Sequence, residues 1–419
     1  MAQTEVTGLL RVGVSLILDS LDVEGRGWRV ERVAFKPGSS VREVLLRLTP
    51  TGKQAVCGEC GAICRKIYDR KRNTRVWRHT AAWGTPTWVT VPFLRRVQCR
   101  RCGIRLEALP WARKLARMTR ALERCILAQA KSSSLLAVAR NLALGWKAVF
   151  GTVRRAVMEG IKRKRRSWRH LGVDEFNYGR GQSKYLTIVW DHDRAEVAWA
   201  GEGKSGETLN KFFDWLGPRR ARRIRCFTLD MADSYIEAIG KRAPWAKLVF
   251  DKFHIVRHLL DAVDELRKSE FWRKGGARRA LVAGKRFLLL RRGALLTSDE
   301  QTRLREVLDA NRDLLAAYVL KEDFESFWES KSRQAAGFFL WEWSNLVWNT
   351  GIGALQRFVT MLWVHLLGVL AYFDFKLTNG PVESQNSRTR LLSQRARGYR
   401  NPSNLIMMLY HCSGNLNYE

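Results

Sequence analysis

Two sets of residues in this 419-residue chain have the types and spacing to do chemistry: four cysteines and a few carboxylates. Cys57-Gly-Glu-Cys60 and Cys99-Arg-Arg-Cys102 are C-x-x-C knuckles, each followed by a glycine, Gly61 and Gly103. Such a turn presents two thiolates to one point, and zinc takes four soft ligands in a tetrahedron. The 38 residues between the knuckles exceed ordinary ribbon spacing. They hold strand-like runs at Trp77–His79 and Thr87–Leu94, so a hairpin insertion can bring the pairs together. With all four positions filled by protein, the expected Zn²⁺ is structural. Cys64 and His79 are spare ligands, and the competing reading is two unrelated pairs of reduced thiols.

Among the acids, placement singles out three. Asp174 closes an apolar strand in His170-Leu-Gly-Val-Asp-Glu-Phe, Asp230 ends the run Ile224–Leu229, and Glu383 lies in Asn379-Gly-Pro-Val-Glu, with Pro381 in the first turn of a helix. Acids at strand ends and a helix start can converge on one cleft and hold hard divalent cations through oxygen. Two such ions about 4 Å apart can clamp the attacking and leaving oxygens of a phosphoryl transfer. Asp191, Asp193 and Asp233 are comparable in kind, so spacing alone leaves the choice open. Glu175 follows Asp174 and is expected on the opposite strand face.

The elements that must position these groups are legible from pattern. Residues 1–50 predict strands at Trp28–Phe35 and Val41–Leu48 around a Pro37-Gly38 turn. Residues 51–110 predict short strands and turns around the cysteines. A helix over Arg120–Lys131, an N-cap among Ser132–Ser134 and a turn at Ala143-Leu144-Gly145 predict a helix-turn-helix whose last helix turns Lys147, Arg154 and Arg155 toward DNA. The run Lys162, Arg163, Lys164, Arg165, Arg166 would lie on a phosphate backbone. Residues 171–250 alternate short strands with turns, including a hairpin of Tyr185–Trp190 and Ala195–Ala200. Residues 252–375 are mostly helical, with a capping box at Ser298-Asp299-Glu300-Gln301. The aromatic stretch Phe338–Trp348 is expected in a core.

Charge supplies the partner. Lys+Arg number 74 against 40 Asp+Glu, a net +34. Residues 51–170 carry 29 of those cations and only 5 acids. A field of this size calls for a polyanion, and nucleic acid is the expected one. With 17 Trp and 18 Phe the chain is no disordered basic tail. The longest apolar run, Met361–Phe373, is too short to span a bilayer, and the N-terminus does not read as a signal peptide. A cytoplasmic protein with reduced thiols and no membrane partner is expected.

The segments HLGVDEF, CFTLDMADSY, VFDKFHIVRHL and LTNGPVESQNSRTRLLSQRARGYRN resemble the ISL-three family of bacterial insertion-sequence transposases. The likeness covers nearly the whole chain and is weakest over residues 1–50. It implies a multidomain α+β protein: an N-terminal β-containing segment (1–50), a zinc-ribbon-like domain (51–110), and a helix-turn-helix domain with basic linker (111–165). An RNase H-like α/β catalytic domain would follow in two parts (166–254 and 379–419) around a large helical insertion (255–378). The family's DDE triad falls on Asp174, Asp230 and Glu383, with two Mg²⁺ or Mn²⁺ ions. A family D-x-x-H motif falls on Asp251 and His254, the histidine contacting the scissile phosphate or positioning the metal site. Arg388, Arg390, Arg395 and Arg397, after the glutamate, would track double-stranded DNA. The implied activity is recognition of terminal inverted repeats, release of a 3′ hydroxyl and its transfer into target DNA. A homodimer assembled on DNA at the bacterial nucleoid is the implied working form. Two departures stand out: Ala143 replaces the frequent glycine at the helix-turn-helix corner, and Ser384 the usual glycine after the glutamate. The alternatives that share these features are a catalytically inactive DNA-binding regulator and an RNase H-like nuclease.

Overall fold

The computed structural model describes residues 21, 27–35, 43–82, 84–164, 167–179, 184–273 and 284–418. They form two compact units, residues 1–159 with Tyr418, and residues 160–417. The Pro37-Gly38 turn and Arg165 and Arg166 of the basic run lie outside the described residues.

The first unit is built on strands β1 (Trp28–Phe35), β2 (Val44–Pro50), β5 (Ile67–Ala82), β6 (Thr85–Cys99) and β7 (Gly103–Leu106). Their order is β1-β2-β6-β5, with β7 also paired to β6. β2 runs parallel to β6, and β5 and β6 form a long antiparallel hairpin. Alternate residues supply one apolar face: Leu46, Leu48, Trp77, Val89 and Val91 are buried with Leu21, Trp28 and Trp111. Trp28 meets Trp111 edge-on at 4.8 Å. Two expectations are corrected here. The strands between the knuckles are 16 and 15 residues long, not short. The boundary expected at residue 50 falls inside one sheet, because β2 pairs with β6 across it. A two-stranded sheet of β3 (Ala55–Val56) and β4 (Ile63–Cys64) carries the first knuckle in its turn, and the β6–β7 turn carries the second.

Helices α1 (Arg120–Ser132), α2 (Leu135–Asn141) and α3 (Trp146–Arg163) follow. Thr119 caps α1 and Ser134 caps α2, each through its side-chain oxygen. Ala143 takes the left-handed conformation (φ 49°) in the α2–α3 corner, a conformation glycine adopts at no steric cost.

The second unit holds a five-stranded sheet in the order β10-β9-β8-β11-β12. Its strands are β8 (His170–Asn177), β9 (Tyr185–Asp191), β10 (Glu196–Glu202), β11 (Cys226–Leu229) and β12 (Lys247–Phe250). β8, β9 and β10 are antiparallel neighbours, while β11 and β12 run parallel to β8. β11 is buried on both faces, as a parallel strand covered by helices must be. Helices α4 (Gly206–Leu216), α5 (Pro218–Ala221) and α6 (Asp233–Arg242) lie along the chain between these strands.

A helical segment then intervenes: α7 (Lys252–Arg273), α8 (Arg286–Leu290), α9 (Ser298–Asp309), α10 (Arg312–Asp323), α11 (Arg333–Thr350), α12 (Gly353–Val364) and α13 (Leu366–Phe375). The capping box of α9 is formed by Thr297 with Glu300, one residue earlier than expected. Of the aromatic stretch on α11, Trp343 is buried and its Nε1 donates to Leu320 O at 3.0 Å. Phe338, Trp341 (53% exposed) and Trp348 (51%) instead face outward, which corrects the core expectation for them. Two helices close the unit, α14 (Gly380–Arg395) and α15 (Pro402–Ser413). The second packs on β10, where Ala200 N donates to Tyr410 Oη at 3.3 Å. Among the described residues, no single helix is long and apolar enough to cross a membrane.

Candidate active site and metal centre

The carboxylates gather where β8, β11 and the start of α14 meet. Asp174 lies inside β8 rather than at its end, since the strand continues to Asn177. Asp230 directly follows β11, and Asp251 directly follows β12 and donates its backbone N–H to Leu229 O at 3.1 Å. Glu383 stands in the first turn of α14, where Pro381 is tolerated because that turn's N–H groups lack helical partners.

Hydrogen bonds lash these elements together. Asn379 N donates to Asp251 Oδ1 at 2.9 Å, and its side chain reaches Val173 O at 3.4 Å. Thr228 Oγ1 donates to Asn379 Oδ1 at 2.9 Å, so His192 Nε2 must carry the proton it shares with that hydroxyl at 2.8 Å. Asn379 precedes α14 yet makes no capping bond; its side chain is spent on the sheet. From one turn beyond Glu383, Asn386 Nδ2 donates to Asp174 Oδ2 at 2.8 Å. Gly172 makes this approach feasible, since a Cβ there would sit 2.4 Å from Val382 Cγ2.

Electrostatics mark the cluster as short of positive charge. Burial, and the nearby charge of Asp230, push the Asp174 carboxyl up to about 7. Burial likewise raises the Glu175 carboxyl, with the charge of Asp230 adding to the rise. Asp230 Oδ1 is buried without a hydrogen-bond partner. Crowded acids with an orphaned carboxylate oxygen suit a divalent cation. His254 Nδ1 lies 3.1 Å from Asp251 Oδ2 and 4.0 Å from Glu383 Oε1. Its hydrogen bond with Asp251 raises its pKa and favours the imidazolium. Ligand atoms of Asp251, His254 and Glu383 all fall within 4.8 Å of one another. Among the described residues, Asp174, Asp230 and Glu383 do not close to that distance as a trio.

The other cluster is Cys57, Cys60, Cys99 and Cys102, whose sulfurs also lie within 4.8 Å of one another. None of the chain's eight cysteines is in a disulfide. The backbone N–H groups of Arg101 and Cys102 lower the Cys99 thiol to about 6, the environment a metal thiolate needs. Its partner Cys102 is pushed up to about 12, chiefly by its contact with Cys60. Four thiols this close cannot all ionise without a cation between them. Cys64 lies against the group, with its thiol beside Cys99 and also 3.6 Å from Ala62 O, but it is not one of the four sulfurs that are all mutually close. His79 is elsewhere: buried, it bonds Thr119 Oγ1 at 2.9 Å.

Of the expected DNA contacts, Lys147, Arg154, Arg155, Lys162 and Arg163 are exposed on α3, although Arg155 also pairs with Glu123. Lys164 is corrected. Its side chain is only 4% exposed, and its ammonium is engaged by Glu196 Oε1 (3.2 Å), Val197 O (2.7 Å) and Gly414 O (2.6 Å). Three acceptors use all three donors and leave none for phosphate. Arg388 and Arg390 are exposed on α14, and Arg395 is half-buried. Arg397 lies past the helix end, in the left-handed conformation (φ 59°), so it does not continue the helical track. Asn379, Asn386, Thr228 and Gly172 were not singled out as site residues by sequence reasoning; only the asparagines bracketing Glu383 left a trace in the motif itself.

A family model described as a transposase matches residues 171–409. A second, described as the helix-turn-helix domain of transposase family ISL3, matches residues 107–157. The chain is 33% identical over 392 residues to the transposase for insertion sequence element IS1001 of Bordetella parapertussis, covering 90% of this chain and 92% of that protein. It is 30% identical over 392 residues to the transposase for insertion sequence element IS1557 of Mycobacterium tuberculosis, covering 87% of each. A helix-turn-helix in one chain with an acid-bearing α/β unit defines a DNA-acting transposase, an enzyme of the DDE class of metal-dependent polynucleotidyl transferases. The chain belongs to the ISL3 family of insertion-sequence transposases.

Proposed function

We propose that Asp174, Asp230 and Glu383 are the catalytic triad of this transposase, on an RNase H-like sheet, and that they cut and join DNA at the ends of its own element. The observation that carries this reading is the lashing of α14 to β8 and β11: Asn379 and Asn386 bring the helix turn bearing Glu383 against the strands bearing Asp174 and Asp230. A sheet ordered 3-2-1-4-5, with three antiparallel strands followed by two parallel ones, supports the RNase H-like assignment.

Mg²⁺ or Mn²⁺ held by Asp174, Asp230 and Glu383 would supply neutralisation of the attacking and leaving oxygens. The chain's own groups do the rest. Asp251 orients His254 and keeps it protonated, so that its imidazolium faces a phosphate oxygen. Release of a 3′ hydroxyl and its attack on target DNA are both in-line phosphoryl transfers, so one set of acids serves both. Cys57, Cys60, Cys99 and Cys102 would hold a structural Zn²⁺, which would keep the knuckles folded, and with α3 they would place unit 1 on the terminal inverted repeats. Joining two ends requires at least two copies on the DNA, and the site of action is the bacterial cytoplasm at the nucleoid.

The test is cleavage and strand transfer with purified protein, DNA carrying the element's flanking ends, and Mg²⁺. Wild type should nick at the boundary and join; Asp230→Asn and Glu383→Gln should bind the ends and do neither. Tight binding with no cut by wild type would favour the regulator, and cutting without joining the nuclease.

A further inference from the structure

Asn386 touches the Asp174 carboxylate directly. Its Nδ2 donates to Asp174 Oδ2 at 2.8 Å and to Glu175 O at 3.3 Å. Both neighbours are acceptors, which sets the orientation of the amide. The other oxygen of Asp174, Oδ1, accepts from Glu175 N at 2.8 Å. The carboxylate is therefore gripped at both oxygens, although its terminal torsion is by nature broad and two-fold. Asn386 also sits three residues after Glu383 on α14, on the same helix face. Its Oδ1 is buried with no partner, so the donor end is the one the structure employs.

We propose that Asn386 is a positioning residue: it holds the Asp174 carboxylate in one orientation and couples it to the turn of α14 that carries Glu383. The two acids then approach a divalent cation at a set separation. This rests on the reading of Asp174 and Glu383 as metal-binding acids. Groups that orient metal ligands in this way are typically worth 10–100-fold in metal affinity or activity.

The full chain with Asn386→Leu tests it, because leucine keeps the branched shape and removes both donors; Asn386→Ala, which adds no bulk, is the second variant. Mn²⁺ binding is read from loss of the free ion's paramagnetic resonance signal, and cleavage of end-bearing DNA is followed against Mn²⁺ concentration. Thermal midpoint and DNA affinity are measured alongside. The expected result is unchanged DNA affinity with half-saturation by Mn²⁺ raised about 10–100-fold in both readouts. Mn²⁺ curves that overlay wild type would overturn the proposal. Failure of both variants to fold would overturn it too, by assigning Asn386 to the scaffold alone. Asp174→Asn separates the two levels. If that variant cleaves normally, the acid assignment itself fails; if it is inactive while both Asn386 variants behave as wild type, only the positioning role fails.

Discussion

His79 is held neutral: burial, aided by the charge of Arg78, lowers its pKa from 6.5 to about 4. A histidine depressed in the fold contributes stability that is complete above its unfolded pKa and is lost as pH falls toward the folded one. Unit 1 should therefore lose stability between about pH 6.5 and about pH 4. In His79→Gln that part of the slope should vanish, as read by thermal midpoints at pH 7 and pH 5. An unchanged slope would mean that the ring is already charged in the fold. The same residue shows why a motif scan overreaches. By type and position His79 could ligate zinc, but β5 aims it at Thr119, the cap of α1, where it ties sheet to helix.

Between elements, the closest fit at the site is α14 on β8. Gly172→Ala would force a Cβ against Val382 Cγ2 and, at 2.9 Å, against Thr228 Oγ1 and His192 Nε2. The strand is central and the neighbours are packed, so α14 must shift. A misplacement of about 1 Å can cost about 100-fold in rate, so cleavage should fall by that order while DNA affinity holds. Wild-type cleavage would show that the helix can give. In the helix-turn-helix, Ala143→Val should destabilise unit 1 by about 1–3 kcal/mol, because a β-branched residue resists positive φ. Ala143→Gly should be neutral or stabilising; chemical denaturation of the two variants checks both. Most strands and helices are legible in the sequence because period-2 and period-3.6 apolar patterns report one buried face each. The four cysteines are legible because their ligand spacing is local. Asp230 and Glu383 are legible as strand-end and helix-start acids, whereas Asp174 lies inside β8 and not at its end; proposing this trio over Asp191 or Asp233 needs the family likeness. What is not legible arises from register between distant elements. Asn386 meets Asp174 across 212 residues, and the β2–β6 pairing that erases the boundary at residue 50 leaves no mark in either strand alone.

For the whole molecule, the excess of charge decides how it behaves toward DNA. If about ten phosphates are neutralised, the log of the binding constant should fall against log salt with a slope of about −9. A shallow slope would assign most of the surplus cations to other work, as Lys164 already illustrates. Removing metal with a strong chelator should weaken DNA binding through the cysteine cluster, and Zn²⁺ should restore it where Mg²⁺ does not. Equal rescue by Mg²⁺ would exclude a thiolate site.

The long helical segment between Asp230 and Glu383 also sets an order of events during synthesis. Every residue of unit 1 except Tyr418 precedes residue 160, whereas Glu383, Asn386 and the α15 helix that packs on β10 come after the whole of α7 to α13. On the ribosome, the helix-turn-helix is complete while the α/β unit still lacks Glu383 and a supporting helix. On the proposed assignment, a messenger truncated within that segment would encode a protein able to occupy the element's ends and unable to open them. It would compete with its full-length sibling for the same DNA.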